Sequence, residues 1–196
     1  GAHIVGLVAY DKAGNKATSE TAVVIDNTTP LAEIRAPVEG LHLRGTHSVT
    51  VYGYDVNFER MELYIDGALA RTWTSGGAQT HSWDTATLAD GSRAIRIRVV
   101  DKAGNSVEKT VMTTVDNTVP SVGITSPTAK AELSGTVSIT FSASDTDLKL
   151  AQLFIDNSVF DVTGKTSFTW DTRAVGDGSH TIKLVAYDKA GNSAEA

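Results

Sequence analysis

Apolar and polar residues alternate with a period of two over most of the chain. Val49, Val51 and Gly53 alternate with Ser48, Thr50 and Tyr52, and farther on Val137, Ile139, Phe141 and Ala143 alternate with Ser138, Thr140 and Ser142. The same alternation runs through Met61, Leu63 and Ile65, through Ala151, Leu153 and Ile155, and then through Ile95, Ile97 and Val99 and through Ile182, Leu184 and Ala186. Side chains of a strand point to opposite faces in turn, so such runs predict strands with one buried face. Between Leu31 and Pro120 the pattern predicts seven short strands: A near 33–36, B at 48–54, C at 60–66, a fourth near 70–74, E at 80–83, F at 94–100 and G at 106–115. Ile95, Ile97, Val99, Met61, Leu63, Ile65, Val49, Val51 and Trp83 are the expected core, with Arg96, Arg98, Glu62 and Tyr64 facing outward. Many short strands with turn residues between them suggest an all-β fold built as a β-sandwich.

The pattern repeats. Asp-Lys-Ala-Gly-Asn occurs at 11–15, 101–105 and 188–192, spaced by 90 and then 87 residues. Asp26-Asn27-Thr28 recurs as Asp116-Asn117-Thr118, Trp83-Asp84-Thr85 as Trp170-Asp171-Thr172, and Asp90-Gly91-Ser92 as Asp177-Gly178-Ser179. The offset shortens between Asp66/Asp156 and Trp83/Trp170, which places a three-residue deletion in a surface loop. A unit of about 90 residues is long enough to bury its own core. By this alignment residues 1–30 hold the C-terminal part (strands F and G) of one repeat, 31–120 a complete repeat, and 121–196 a repeat lacking its last strand. The expectation is a stretch of a longer array.

Composition narrows the chemistry. Cysteine is absent, which removes disulfides, thiolate metal sites and cysteine nucleophiles. The balance of 17 basic and 23 acidic residues gives a net charge of -6 and no basic stripe, so nucleic acid is not an expected partner. No apolar run approaches the ~18 residues of a membrane helix, so no membrane insertion is expected of this segment, and any targeting signal is expected outside it. Neither a Ser/His/Asp set nor a strand-to-helix phosphate loop is visible, and the chain is expected to be non-catalytic. Trp83 and Trp170 alternate with strand residues and are expected to plug cores. Trp73 is expected to be exposed and is the better candidate for stacking on a sugar. His3 and His180, at the starts of F strands, are expected at the surface.

The order ELYIDG, WDT, LADGS, VVDKAGN and TVDNT followed by Pro120 resembles the tandem bacterial immunoglobulin-like repeats of secreted surface proteins and adhesins. The resemblance covers the whole chain. It implies tandem immunoglobulin-like β-sandwich domains, although the cysteine pair and strand-C tryptophan of antibody domains are missing. In that topology the B–C and F–G loops lie at the pole where the chain enters. Linker residues Asp26 and Asn27 would then meet Asp55, Asn57 and Glu59 of the B–C loop and Asp101 of the F–G loop. At the next junction Asp116 and Asn117 would meet Asp145, Asp147 and Asp188. Converging carboxylates repel unless neutralised, and calcium takes 6 to 8 oxygen ligands. Giant adhesins with similar repeats bind calcium between domains, so the resemblance implies Ca2+ at these junctions. Ordinary turn chemistry, with Lys102 and Lys189 offsetting part of the charge, remains the alternative.

These readings give an extracellular or cell-surface array that acts as a spacer, a stalk or an adhesive segment of a larger protein. Short linkers ending in Pro30 and Pro120 favour a stiff chain. Two other readings stay open. One is an accessory binding module of a secreted hydrolase with a protein or glycan ligand, for which the sequence offers no row of exposed aromatics. The other is a strand-donating protomer of an extracellular filament: residues 19–25 match the strand the last repeat lacks, and Phe154 and Val185 are expected on an outward face beside its open edge. Partners on these readings are other repeats of the array or another copy of the chain.

Overall fold

A computed structural model describes all residues from Gly1 to Ala196. The strands in chain order are β1 (Ala2–Tyr10), β2 (Lys16–Val24), β3 (Leu31–Ala36), β4 (His42–Leu43), β5 (Thr46–Tyr54), β6 (Phe58–Ile65), β7 (Ala68–Trp73), β8 (Gly77–Asp84) and β9 (Gly91–Asp101). They continue with β10 (Ser106–Val115), β11 (Ser121–Ser126), β12 (Thr136–Ser144), β13 (Leu148–Ile155), β14 (Ser158–Asp161), β15 (Ser167–Asp171), β16 (Ile182–Asp188) and β17 (Ser193–Glu195). The only helical element is a single 3-10 turn at Thr172–Ala174, so no helix is long and apolar enough to cross a membrane. The chain forms two compact units, Gly1–Val38 with Ser48–His81 and Ala94–Val111, and Glu39–His47 with Ser82–Arg93 and Met112–Ala196.

In the first unit, β1 and β2 make a hairpin in register from Ala2↔Val24 to Tyr10↔Lys16, and its side chains are exposed on both faces. β3 pairs with β5 in one sheet, while β6 pairs with both β7 and β9 in another. The predicted fourth strand therefore lies beside strand C. Gly53 shows how closely the two sheets approach, because a Cβ there would sit 3.0 Å from both Met61 Sδ and Val99 Cγ2. The β6–β7 turn has positive φ at Asp66 and at Gly67, as a two-residue hairpin with right-handed strand twist requires. Asp66 then accepts the Ala94 N–H at 2.9 Å, fixing the start of strand F.

Val49, Val51, Met61, Leu63, Ile95, Ile97, Val99 and Trp83 are buried, as the alternation predicts. Ile65 is only half-buried, because it ends β6 next to the turn. The outward positions form a charged lattice. Arg60 pairs with Glu62 at 2.8 Å, Tyr64 donates to Glu62 at 3.0 Å, Arg96 lies 4.1 Å over the Tyr64 ring, and Arg96 meets Glu108 at 2.5 Å.

The second unit contains the last repeat, with sheets β11-β12-β15 and β14-β13-β16-β17 around Ile139, Phe141, Ala151, Leu153, Ile155, Val162, Trp170, Leu184 and Ala186. Two expectations need correction here. A three-residue β17 pairs with β16 where the sequence alignment left strand F with an open edge, and Ala196 exchanges backbone hydrogen bonds with Leu184. Val185, expected on an exposed apolar face, is 7% exposed, and Phe154 lies under Lys183, whose Nζ is 5.2 Å from the ring centre.

Candidate functional site

The pentapeptide Asp-Lys-Ala-Gly-Asn folds the same way in all three copies. In the exposed β1–β2 turn Asp11 accepts the N–H groups of Ala13 and Asn15 at 2.8 and 2.9 Å and the Asn15 side-chain amide at 2.7 Å. Asp101 does the same with Ala103 and Asn105 at 2.9, 2.8 and 2.7 Å. Asp188 accepts the Asn192 N–H at 2.8 Å and its amide at 2.6 Å. These are turn bonds, as expected of Asp and Gly in a tight connection.

The second and third copies add a bond that turn chemistry does not require. Asn105 Nδ2 also donates to the Asp26 carbonyl at 3.1 Å, and Asn192 Nδ2 donates to the Asp116 carbonyl at 2.9 Å. The asparagine that closes the turn thus holds the linker backbone. Neither Asn105 nor Asn192 was singled out from the sequence, where the motif read as a turn alone. Its three-fold identity at the final Asn was the available signal.

Around each clasp three carboxylates converge. Asp26, Asp55 and Asp101 bring one oxygen each within 4.8 Å of one another, and so do Asp116, Asp145 and Asp188. Each set lies inside one compact unit. Loop backbone fixes them in equivalent ways: Asp55 accepts the Asn57 N–H at 2.7 Å, and Asp145 accepts the Asp147 N–H at 2.8 Å. Asp26 and Asp116 accept the N–H groups of Thr28 and Thr118 at 3.0 and 3.1 Å. Asp101 and Asp188 are fully buried.

The remaining predicted residues separate. Asn57 Nδ2 donates to Asp26 Oδ2 at 2.8 Å, so it joins the first set as a hydrogen-bond donor. Asp147 reaches the second set, 3.1 Å from His42 Nδ1 and 3.4 Å from Lys189 Nζ. Asn117 turns away: its amide donates to the Thr85 and Leu88 carbonyls at 2.8 and 3.1 Å. Asn27 is exposed, and Glu59 pairs with Arg60 at 3.1 Å.

Proton affinities in the two sets move oppositely. The Asn57 amide, with the Thr28 N–H, holds the Asp26 carboxyl below the usual carboxylate range. Burial pushes Asp116 up, and the charges of Asp188 and Asp145 add to the rise. Hard carboxylate oxygens without sulfur suit a calcium ion, with water or backbone carbonyls filling the rest of its shell. The desolvated Asp116 is the observation that favours a cation at the second set.

Other candidates for chemistry lie elsewhere. Trp83 and Trp170 are buried in cores, as expected, whereas Trp73 on β7 is half-buried and not fully exposed. His180 is not a free surface residue. Its ring stacks edge-on to Trp170 at 5.6 Å and bonds Asp156 at 2.7 Å, and that carboxylate raises its proton affinity.

The fold and its repeated loops define an all-β, immunoglobulin-like sandwich. Residues 120–184 match the family model of the bacterial Ig domain, and the last repeat is a domain of that kind. The complete repeat before it has the same motifs and the same antiparallel strand pairings, and adds the short parallel β4–β10 pairing that the last repeat lacks. Among solved structures, the fibronectin(III)-like modules of Clostridium thermocellum CbhA align at 22% identity over 83% of this chain and 88% of theirs, with a TM-score of 0.53. That likeness concerns the fold alone. A tetra-tandem repeat from the extending region of a large adhesion protein aligns at 19% identity over all of this chain and 56% of its own, TM-score 0.41. The endo-beta-1,4-mannanase of Thermotoga petrophila aligns at 17% identity over 47% of this chain and 21% of its own, TM-score 0.40. Pairwise comparison with characterised proteins gives no match.

Proposed function

We propose that the chain is a non-catalytic, extracellular spacer segment of a larger surface or secreted protein, whose linkers are stiffened by the loops of the repeat they enter. The observation that carries this reading is the clasp: Asn105 and Asn192 each bind a buried aspartate and a linker carbonyl with one amide. A linker held by its own backbone loses torsional freedom, which is the property a spacer needs. The buried tryptophans support the same reading, since rings enclosed in cores do not offer a stacking platform for a glycan.

Calcium belongs to the proposal. Asp26, Asp55 and Asp101 would hold one ion, and Asp116, Asp145 and Asp188 another, each offsetting carboxylate repulsion at a linker. An ion that binds only the folded form raises its melting temperature by mass action. Chelator-treated chain should therefore melt higher as calcium rises into the millimolar range, and scattering should show a narrower distribution of end-to-end distances. Asp101→Asn and Asp188→Asn should each blunt the response. If neither melting nor scattering depends on calcium or chelator, the linkers are held by the clasp alone.

A further inference from the structure

The two acidic sets differ at one equivalent position, Asn57 in the first and Asp147 in the second. Their backbones serve the same purpose, each N–H bonding the preceding aspartate at 2.7 and 2.8 Å. Their side chains do not. Asn57 supplies a donor to the linker carboxylate of Asp26, whereas Asp147 brings another carboxylate toward Asp116, where no donor can come from it.

An imidazole stands in that place. β4 runs parallel to the end of β10, with His42 opposite Thr114 and Leu43 opposite Val115, and the Leu43 carbonyl accepts the Asp116 N–H at 2.9 Å. That pairing sets His42 beside the linker aspartate. Its Nδ1 is enclosed and makes no hydrogen bond, and Asp147 Oδ2 lies 3.1 Å from it as an ion-pair partner. His42, Asp116 and Asp147 each offer one ligand atom, all within 4.8 Å of one another. Ligand atoms at about 2.1 Å from one tetrahedral ion lie about 3.4 Å apart. His42 Nδ1 and Asp147 Oδ2, at 3.1 Å, are near enough to share an ion after a small adjustment, and a metal would replace their direct ion pair.

We propose that His42 Nδ1, Asp116 and Asp147 form a mixed nitrogen–oxygen site for a first-row divalent metal, zinc being the probe, with Asp116 shared with the all-oxygen set. Calcium prefers oxygen alone, while imidazole suits zinc and its neighbours. The site does not depend on the calcium reading, since the first set, which has no imidazole, takes no part in it.

The test titrates zinc chloride into the chelator-treated full chain by calorimetry, with melting in parallel. Wild-type chain should bind one equivalent that is lost, or weakened at least tenfold, in His42→Gln. His180→Gln and Asp101→Asn should bind as wild type, which separates the site from an imidazole already paired with a carboxylate elsewhere and from the first acidic set. Asp147→Asn guards against a folding artefact: it restores the amide donor of the first set, so it should fold well and still lose zinc. Absorption spectroscopy at the zinc edge should show a nitrogen ligand at about 2.0–2.1 Å. Zinc binding that is absent in wild type, or unchanged in both His42→Gln and Asp147→Asn, overturns the proposal. An intact calcium response beside a failed zinc titration would leave the calcium reading standing, and the reverse outcome would separate them equally well.

Discussion

Asp26 and Asp116 occupy the same place in two copies of one motif, yet their protons are held in opposite ways. Asp26 is partly exposed and accepts an amide from Asn57; Asp116 is buried among Asp145 and Asp188, and the residue equivalent to Asn57 is an acid. The backbone bonds of the two loops match within a few tenths of an ångström. Turn geometry is thus copied faithfully between the repeats while the electrostatic state of the linker differs, an amide donor setting it at Asp26 and burial with neighbouring carboxylates setting it at Asp116. A repeat preserves shape more strictly than charge.

The comparison can be broken most forcefully at the clasp. Asn192→Ala strips a buried carboxylate of its amide partner and leaves the Asp116 carbonyl unpaired, and should cost about 2 to 3 kcal/mol in denaturant melts. Asn105→Ala should cost a similar amount. Asn15→Ala, in the exposed hairpin with no linker to hold, should change stability by less than about 0.5 kcal/mol. Equal losses at Asn15 and Asn192 would show that the asparagine matters only to the turn.

Exchanging the differing residue should sharpen the contrast with a smaller effect. In chelator, Asp147→Asn should stabilise the second set by about 1 kcal/mol by supplying the missing donor, and Asn57→Asp should destabilise the first by a similar amount. Were both exchanges neutral, the difference between the sets would be one of burial alone.

The smallest effect is in pH. The depressed Asp26 carboxyl contributes stability that is present above its unfolded value of 3.8 and lost as pH falls through its lower folded value. Asp116 has the opposite sign: raised in the folded state, it costs stability at neutral pH, and that cost is relieved as pH falls through its folded value and is gone below 3.8. Melts in chelator should show Asp116→Asn flattening the gain on mild acidification, with the loss at lower pH unchanged. A profile that Asp116→Asn leaves unaltered would place the titration in another group.

Strands B, C and F were legible because one face of each is buried and the other is not, so alternation marks both the element and its register. β4 was not. Two residues paired in parallel leave no alternation, and with β4 went His42, whose position depends on a partner strand more than 70 residues away. The meeting of Asp26 with Asp55 and Asp101, and of Asp116 with Asp145 and Asp188, followed from topology joined to the repeat. Asn117 did not follow, because its amide finds the Thr85 and Leu88 carbonyls first. Asn105 and Asn192 lay hidden inside a motif whose turn bonds already accounted for every residue in it.

The clasp grips the linker by a main-chain oxygen, which every amino acid carries. The asparagine bond is indifferent to the identity of the residue it holds, even though Asn57 adds a side-chain bond to Asp26 at the first linker, so a copied repeat arrives with one means of fastening to whatever chain precedes it. Lengthening such an array by duplication asks for no matched change in its neighbours, whereas a joint made of paired side chains would have to be rebuilt from both sides at once.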